Sequence, residues 1–135
     1  IKALVSRSTL LPEREVFLKR AAAIKMAHTS TSIEGNQLQE YQVAQVAQGK
    51  KVNAEERQIK EVKNYLSALR EIDKLADDKA SFHSKDILRI HKIVINGLME
   101  PEKVGVFRLG PVYIVNENPD GTNENNYVMI VDIRK

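Results

Sequence analysis

Three histidines, His28, His83 and His91, are the first side chains to test for chemistry. His28 and His91 fall on apolar helix faces, where a hydrogen-bonded core histidine is the expected role. No HExxH string, no clustered His/Asp set and no glycine-rich phosphate loop accompanies them. Nothing assembles a Ser-His-Asp site. Cysteine is absent, which excludes disulfides, thiolate zinc sites and cysteine nucleophiles. No catalytic residue and no metal ligand is therefore assigned. The residue that breaks a local rule is Glu34. It falls in the last turn of a helix, where the backbone already presents partial negative charge. A carboxylate there calls for a cation facing it. The four hydroxyl residues Thr29-Ser30-Thr31-Ser32 just before it compete for backbone hydrogen bonds. Such local conflicts concentrate at functional sites.

The elements that must position Glu34 can be read from the pattern around it. A helix starts after Pro12, with Glu13 and Glu15 in its first turn. Phe17, Ala21, Ile24 and His28 recur at helical spacing, and Gly35-Asn36 is the stop. A short helix comes next, from about Gln39 to Gln48, closed by Gly49. Asn53 is read as the cap of a long helix with the stripe Ile59, Val62, Leu66, Leu69 and Ile72. Ser84 is read as the cap of a fourth, in which Ile87, His91, Val94 and Leu98 share a side. Pro101, Gly105, Gly110 and Pro111 then break helices. Val112–Val115 and Tyr127–Val131 are β-prone runs on either side of a polar stretch containing Asp120-Gly121. The expected fold is mainly α, a multi-helix bundle with one β-hairpin near the C-terminus.

The whole chain sets wide limits. Its 135 residues suit one domain, and 42% hydrophobic with 29% charged residues is an ordinary globular balance. No apolar run approaches the roughly 20 residues of a membrane span, so a cytoplasmic protein with no membrane partner is expected. The net charge is +3. Residues 1–99 carry a net +5 and residues 100–135 a net −2, a mild hint of an anionic partner.

The string Ser30-Thr31-Ser32-Ile33-Glu34-Gly35-Asn36 resembles the inhibitory motif of Fic-domain proteins, (S/T)xxxE(G/N), with Ser30, Glu34 and Gly35 at its defined positions. The segments C-terminal to it are also similar to that family, in order. A short helix and turn lead to Glu61-Val62-Lys63-Asn64-Tyr65-Leu66, then Ile87-Leu88-Arg89-Ile90-His91, then the loop Gly105-Val106-Phe107-Arg108 and the strand Val112-Tyr113-Ile114. The resemblance covers about residues 10 to 128. It implies an inhibitory-helix region at 10–36, a helical core at 37–99, and a loop with a hairpin flap at 105–131, within a single domain over 1–135.

The resemblance also implies an activity. Fic proteins transfer AMP from ATP to hydroxyl side chains of a target protein or of themselves. Their signature HPFxxGNGRxxR is absent here, so the resemblance implies the N-terminal half of such a protein. Glu34 would pair with an arginine of that signature, and Ser30, one turn earlier on the same face, would help fix it. Val112, Tyr113, Ile114, Tyr127 and Val128 resemble the target-docking flap. Arg108 matches the arginine of the family's GxxR turn, with anchoring of the loop as its role. Met129-Ile130-Val131 departs from the family, which often has prolines there. ATP and Mg2+ are expected to serve a complete parent and not to bind this portion well. Homo-oligomerisation stays open. Two other readings stand beside this one: a DNA-binding regulator, with nucleic acid as the less favoured partner, and a non-catalytic helical interaction module.

Overall fold

Proline costs nothing at a first helical position, where its missing N–H has no partner to lose. Helix α1 accordingly starts on it and runs Pro12–Ile33, with Glu13 and Glu15 in the first turn. Helix α2 spans Glu40–Ala47, α3 Glu56–Asp77 and α4 Ser84–Val94, and a 3-10 turn comes after them at Pro101–Lys103. These elements come from a computed structural model that describes residues 12–77, 81–107, 110, 112–117 and 123–129. The chain is mainly helical, as its sequence pattern implies.

Two glycines end helices as their positions suggest. At the end of α1 the Gly35 N–H donates to Ser32 O at 3.0 Å and the Asn36 N–H to Thr31 O at 3.0 Å. At the end of α2 the Gly49 N–H donates to Val46 O at 3.0 Å and the Lys50 N–H to Gln45 O at 2.9 Å. Each pair of bonds is a Schellman closure, which needs a left-handed residue. Gly35 and Gly49 supply it at φ +94° and +72°.

Two expected caps are corrected. Asn53 does not cap α3: the helix starts at Glu56, and the Glu55 carbonyl accepts the Ile59 N–H at 3.2 Å. Ser84 is the first helical residue of α4, and His83 is its cap. The Asp86 carboxylate reaches back to accept the His83 N–H at 2.9 Å, satisfying a donor that the helix leaves open.

The core forms where α1, α2 and α3 meet. Ala27, Val43, Val46, Val62 and Leu66 are buried there, with Leu38 from the link between α1 and α2. Of the stripe expected on α1, Ile24 and His28 are half-buried and no member is fully buried. Phe17 is 68% exposed and Ala21 is exposed, so the first half of that stripe is surface in the described structure. On α3, Ile72 is likewise exposed.

Helix α4 is tied to α3 by polar contacts. The Asn64 amide donates to the carbonyls of Val94 and Asn96, both at 3.0 Å. Arg89 pairs with the largely buried Glu71 at 2.7 Å. Ile87 is exposed, while His91, Val94 and Leu98 are half-buried. Beyond the helix, the Glu100 carboxyl is held below its ordinary range by a hydrogen bond from its own turn's backbone and by Lys103.

The chain divides into two compact units, Ile1–Gly105 and Val106–Lys135. In the second, β1 (Val112–Glu117) and β2 (Asn123–Met129) pair antiparallel. Val112 faces Met129, Tyr113 faces Val128 and Ile114 faces Tyr127; the register then shifts, so that Val115 faces Asn125. Pairing continues to Glu117 and Asn123, into residues whose polarity reads as turn. A backbone ladder uses N–H and C=O groups that every residue but proline carries, so polar side chains do not end it. Ile130 and Val131 lie outside the described residues.

Among the described residues, no helix is long and apolar enough to cross a membrane.

Candidate functional site

The last turn of α1 is weak helix by composition, and the structure shows what stabilises it. Thr31 turns its hydroxyl inward and donates to Ala27 O at 2.8 Å, one turn back. That removes a buried hydroxyl's need for another partner. Ser30 points elsewhere: its hydroxyl is 2.8 Å from the Tyr65 hydroxyl on α3. This bond joins residues 35 apart in sequence. Ser30 is half-buried and Glu34 is exposed.

Glu34 is the residue between the last helical position and Gly35, and its N–H donates to Thr31 O at 3.1 Å. It sits where the α1 dipole is negative, and no cation among the described residues pairs with its carboxylate. Gly35 is next, with open space around the position a Cβ would take. The three residues of the expected motif are therefore brought together at one helix end, with Ser30 and Glu34 four positions apart.

Asn36 is the residue of this site that sequence reasoning missed, having read it only as part of a stop. It is 6% exposed, and its amide is almost fully used. Its nitrogen donates to Gln58 O at 2.9 Å and to Glu61 Oε2 at 2.9 Å. Its oxygen accepts the Leu38 N–H at 3.0 Å. The other oxygen of Glu61 pairs with Arg57 at 3.4 Å. A buried amide with both donors satisfied is fixed in place. The signal available in the sequence was only that Asn comes after the C-cap glycine; the two groups its nitrogen donates to are more than 20 residues away.

The other candidates separate from this site. His91 Nδ1 accepts the Gly105 N–H at 3.1 Å, which makes it the hydrogen-bonded, half-buried histidine that its apolar face suggested. That bond holds a turn in which Gly105 has φ +69°. His28 is half-buried on α1. Arg108 lies outside the described residues. Val112, Tyr113, Ile114, Tyr127 and Val128 are described in backbone only, as facing pairs of β1 and β2. Among the described residues no group of three or more His, Asp or Glu side chains is placed to hold a metal ion. A cleft of about 560 Å³ opens between α1, the end of α2 and α3. Lys19, Arg20, Arg70 and Asp73 line it over Ile24 and Leu66, and none of its walls comes from residues 30–36.

Comparison with known proteins is decisive for the family. The family model described as Fic/DOC family N-terminal matches residues 1–71, which contain α1, α2 and most of α3. The chain belongs to the Fic/DOC family. A crystal structure of a Fic family protein from Desulfovibrio desulfuricans G20 is similar, with 28% sequence identity and a TM-score of 0.67. The similarity covers 87% of this chain and 35% of the Desulfovibrio protein, so this chain spans about a third of that one's length. No curated protein matches.

Proposed function

We propose that this chain is the regulatory and target-docking portion of a Fic-type protein that transfers AMP from ATP to protein hydroxyl groups, and that Glu34 restrains that transfer. The observation that carries the reading is the placement of Glu34. Its carboxylate is exposed at the negative end of α1, with no cation beside it among the described residues, on a turn fixed at both sides. A carboxylate in that setting gains from a guanidinium brought to it, because a planar fork matches two carboxylate oxygens. In this reading the guanidinium belongs to the HPFxxGNGRxxR motif of a complete parent. While paired with Glu34, it is withheld from the phosphate it otherwise binds. Ser30 supports the same turn from the α1 side.

ATP supplies the transferred AMP, with Mg2+ at its phosphates. In this reading both groups serve the catalytic motif of a complete parent, and no transfer step is assigned to the residues of this chain. The antiparallel pair β1 and β2 is taken as the docking flap in this reading, because an edge of a two-stranded ribbon is able to add a target strand by main-chain pairing. The DNA-binding alternative fits less well. Helix α3 begins at exposed Glu56, directly after exposed Glu55, and both carboxylates oppose a phosphate backbone.

The test has two arms. The 135-residue chain, incubated with labelled ATP, magnesium and candidate proteins, is expected to transfer no AMP; labelling would overturn the reading. In a full-length parent carrying the catalytic motif, Glu34→Gly is expected to raise self-modification. Unchanged labelling there removes the inhibitory role.

A further inference from the structure

Fixing a carboxylate requires fixing the backbone that carries it, and α1 alone cannot do this. Its last turn holds hydroxyl residues of poor helix propensity, and the residue after Glu34 is a glycine at φ +94° with open space where a Cβ would sit. The constraint comes two residues later. Asn36 is buried, donates to Gln58 O and Glu61 Oε2, and accepts from Leu38. Its own N–H closes α1 on Thr31 O. One residue thus joins the helix end to α3 through its side chain and to α1 through its main chain.

From this geometry we infer that Asn36 is a positioning residue for Glu34, with Glu61 as its anchor, so that α3 sets where the inhibitory carboxylate stands. The inference rests on the reading of Glu34 as inhibitory and extends it to residues outside the motif. The Glu61 carboxylate is divided between two partners, Asn36 through Oε2 and Arg57 through Oε1. Glu61 is only partly exposed, and Arg57 is largely in solvent. The Asn36 bond is therefore the one screened from water, and its carboxylate acceptor makes it a charge-assisted bond. The Ser30–Tyr65 bond restrains the preceding turn, but it is a single bond between two hydroxyls. Asn36 holds three bonds on the far side of Gly35.

Asn36→Asp removes both donors and sets a second carboxylate against Glu61, while keeping the size of the side chain. Glu61→Gln keeps an oxygen to accept from Asn36. Two measurements separate positioning from general damage. The first is amide hydrogen exchange in the 135-residue chain. Asn36→Asp is expected to speed exchange at Gly35 and at position 36 by about tenfold or more, the loss of a buried bond. Exchange within α4 should stay unchanged, and Glu61→Gln should stay near wild type. The second is AMP labelling in a full-length parent. Asn36→Asp should raise labelling in the same direction as Glu34→Gly, and add nothing when Glu34→Gly is already present.

Exchange that stays at the wild-type rate in Asn36→Asp overturns the inference. So does faster exchange with labelling still suppressed, provided that Glu34→Gly releases it. A further rise of labelling in the double variant also overturns it, since Asn36 would then act apart from Glu34. If Asn36→Asp does not fold, Glu61→Ala and Glu61→Gln replace it: release by Ala and restraint by Gln support the inference, and equal behaviour overturns it. Glu34→Gly without effect would refute the reading of Glu34 and, with it, the regulatory part of this inference; the exchange result then judges the anchor itself.

Discussion

A half-buried hydroxyl pair between two helices is a small interaction with a clear signature. The Ser30 and Tyr65 hydroxyls are 2.8 Å apart and half-buried, so each is shielded from the water that would otherwise replace its partner. A typical intramolecular hydrogen bond contributes about 0.5–1.5 kcal/mol net. Tyr65→Phe keeps the ring that packs beside the core and deletes only the oxygen. It is expected to lower unfolding stability by about 1 kcal/mol. Ser30→Ala should cost a similar amount, and the double variant should cost less than the two together, by a coupling of about 0.5–1.5 kcal/mol. Denaturant unfolding of the four proteins measures this; strict additivity would show that the two hydroxyls are not bonded. The four-residue spacing of Ser30 and Glu34 is visible in one dimension. Sequence reasoning could not find Tyr65 or the partners of Asn36. Those contacts depend on how α1 and α3 cross, and no local spacing encodes a crossing.

Element ends show the same division between local and non-local information. Gly35 and Gly49 were legible as stops because a left-handed residue is a local demand that glycine meets at little cost. Asn53 and Ser84 misled because both are good caps by type, yet the helices start elsewhere. At α4, Asp86 secures His83 as cap by accepting its N–H, so the boundary moved one residue towards the N-terminus. At α3 the helix starts three residues beyond Asn53. Apolar periodicity located α3 but not its first residue, and on α1 it could not tell which half of the stripe would be covered. Gly35→Ala tests the local demand alone. A Cβ there would meet no atom within 4 Å, so the only penalty is the backbone conformation at φ +94°. That penalty is about 1–2 kcal/mol. Thermal unfolding should show a loss of this size, and a neutral substitution would mean that the α1 end relaxes away from the left-handed turn.

Among the described residues, the buried apolar cluster lies where α1, α2 and α3 meet. Val43 and Val62 are fully buried, each 0% exposed, and the rest of the cluster is small: Ala27, Leu38, Val46 and Leu66. The first half of α1 lies outside it, with Val16, Phe17 and Leu18 exposed. Residue type alone ranks Phe17 above Val62 as a source of stability, because a phenyl ring carries more apolar area than an isopropyl group. Burial reverses the ranking, since only surface removed from water contributes. Val62→Ala deletes two buried methyl groups and leaves a cavity at the meeting point of three elements. Transfer of those groups, at about 0.8 kcal/mol each, plus a cavity term gives a loss of about 2–3 kcal/mol. Phe17→Ser in the same chain should change stability by less than about 0.5 kcal/mol, as an exposed substitution does. Denaturant unfolding of both variants checks the contrast. If Phe17→Ser costs as much as Val62→Ala, the first half of α1 is covered in solution and the core extends along the whole helix.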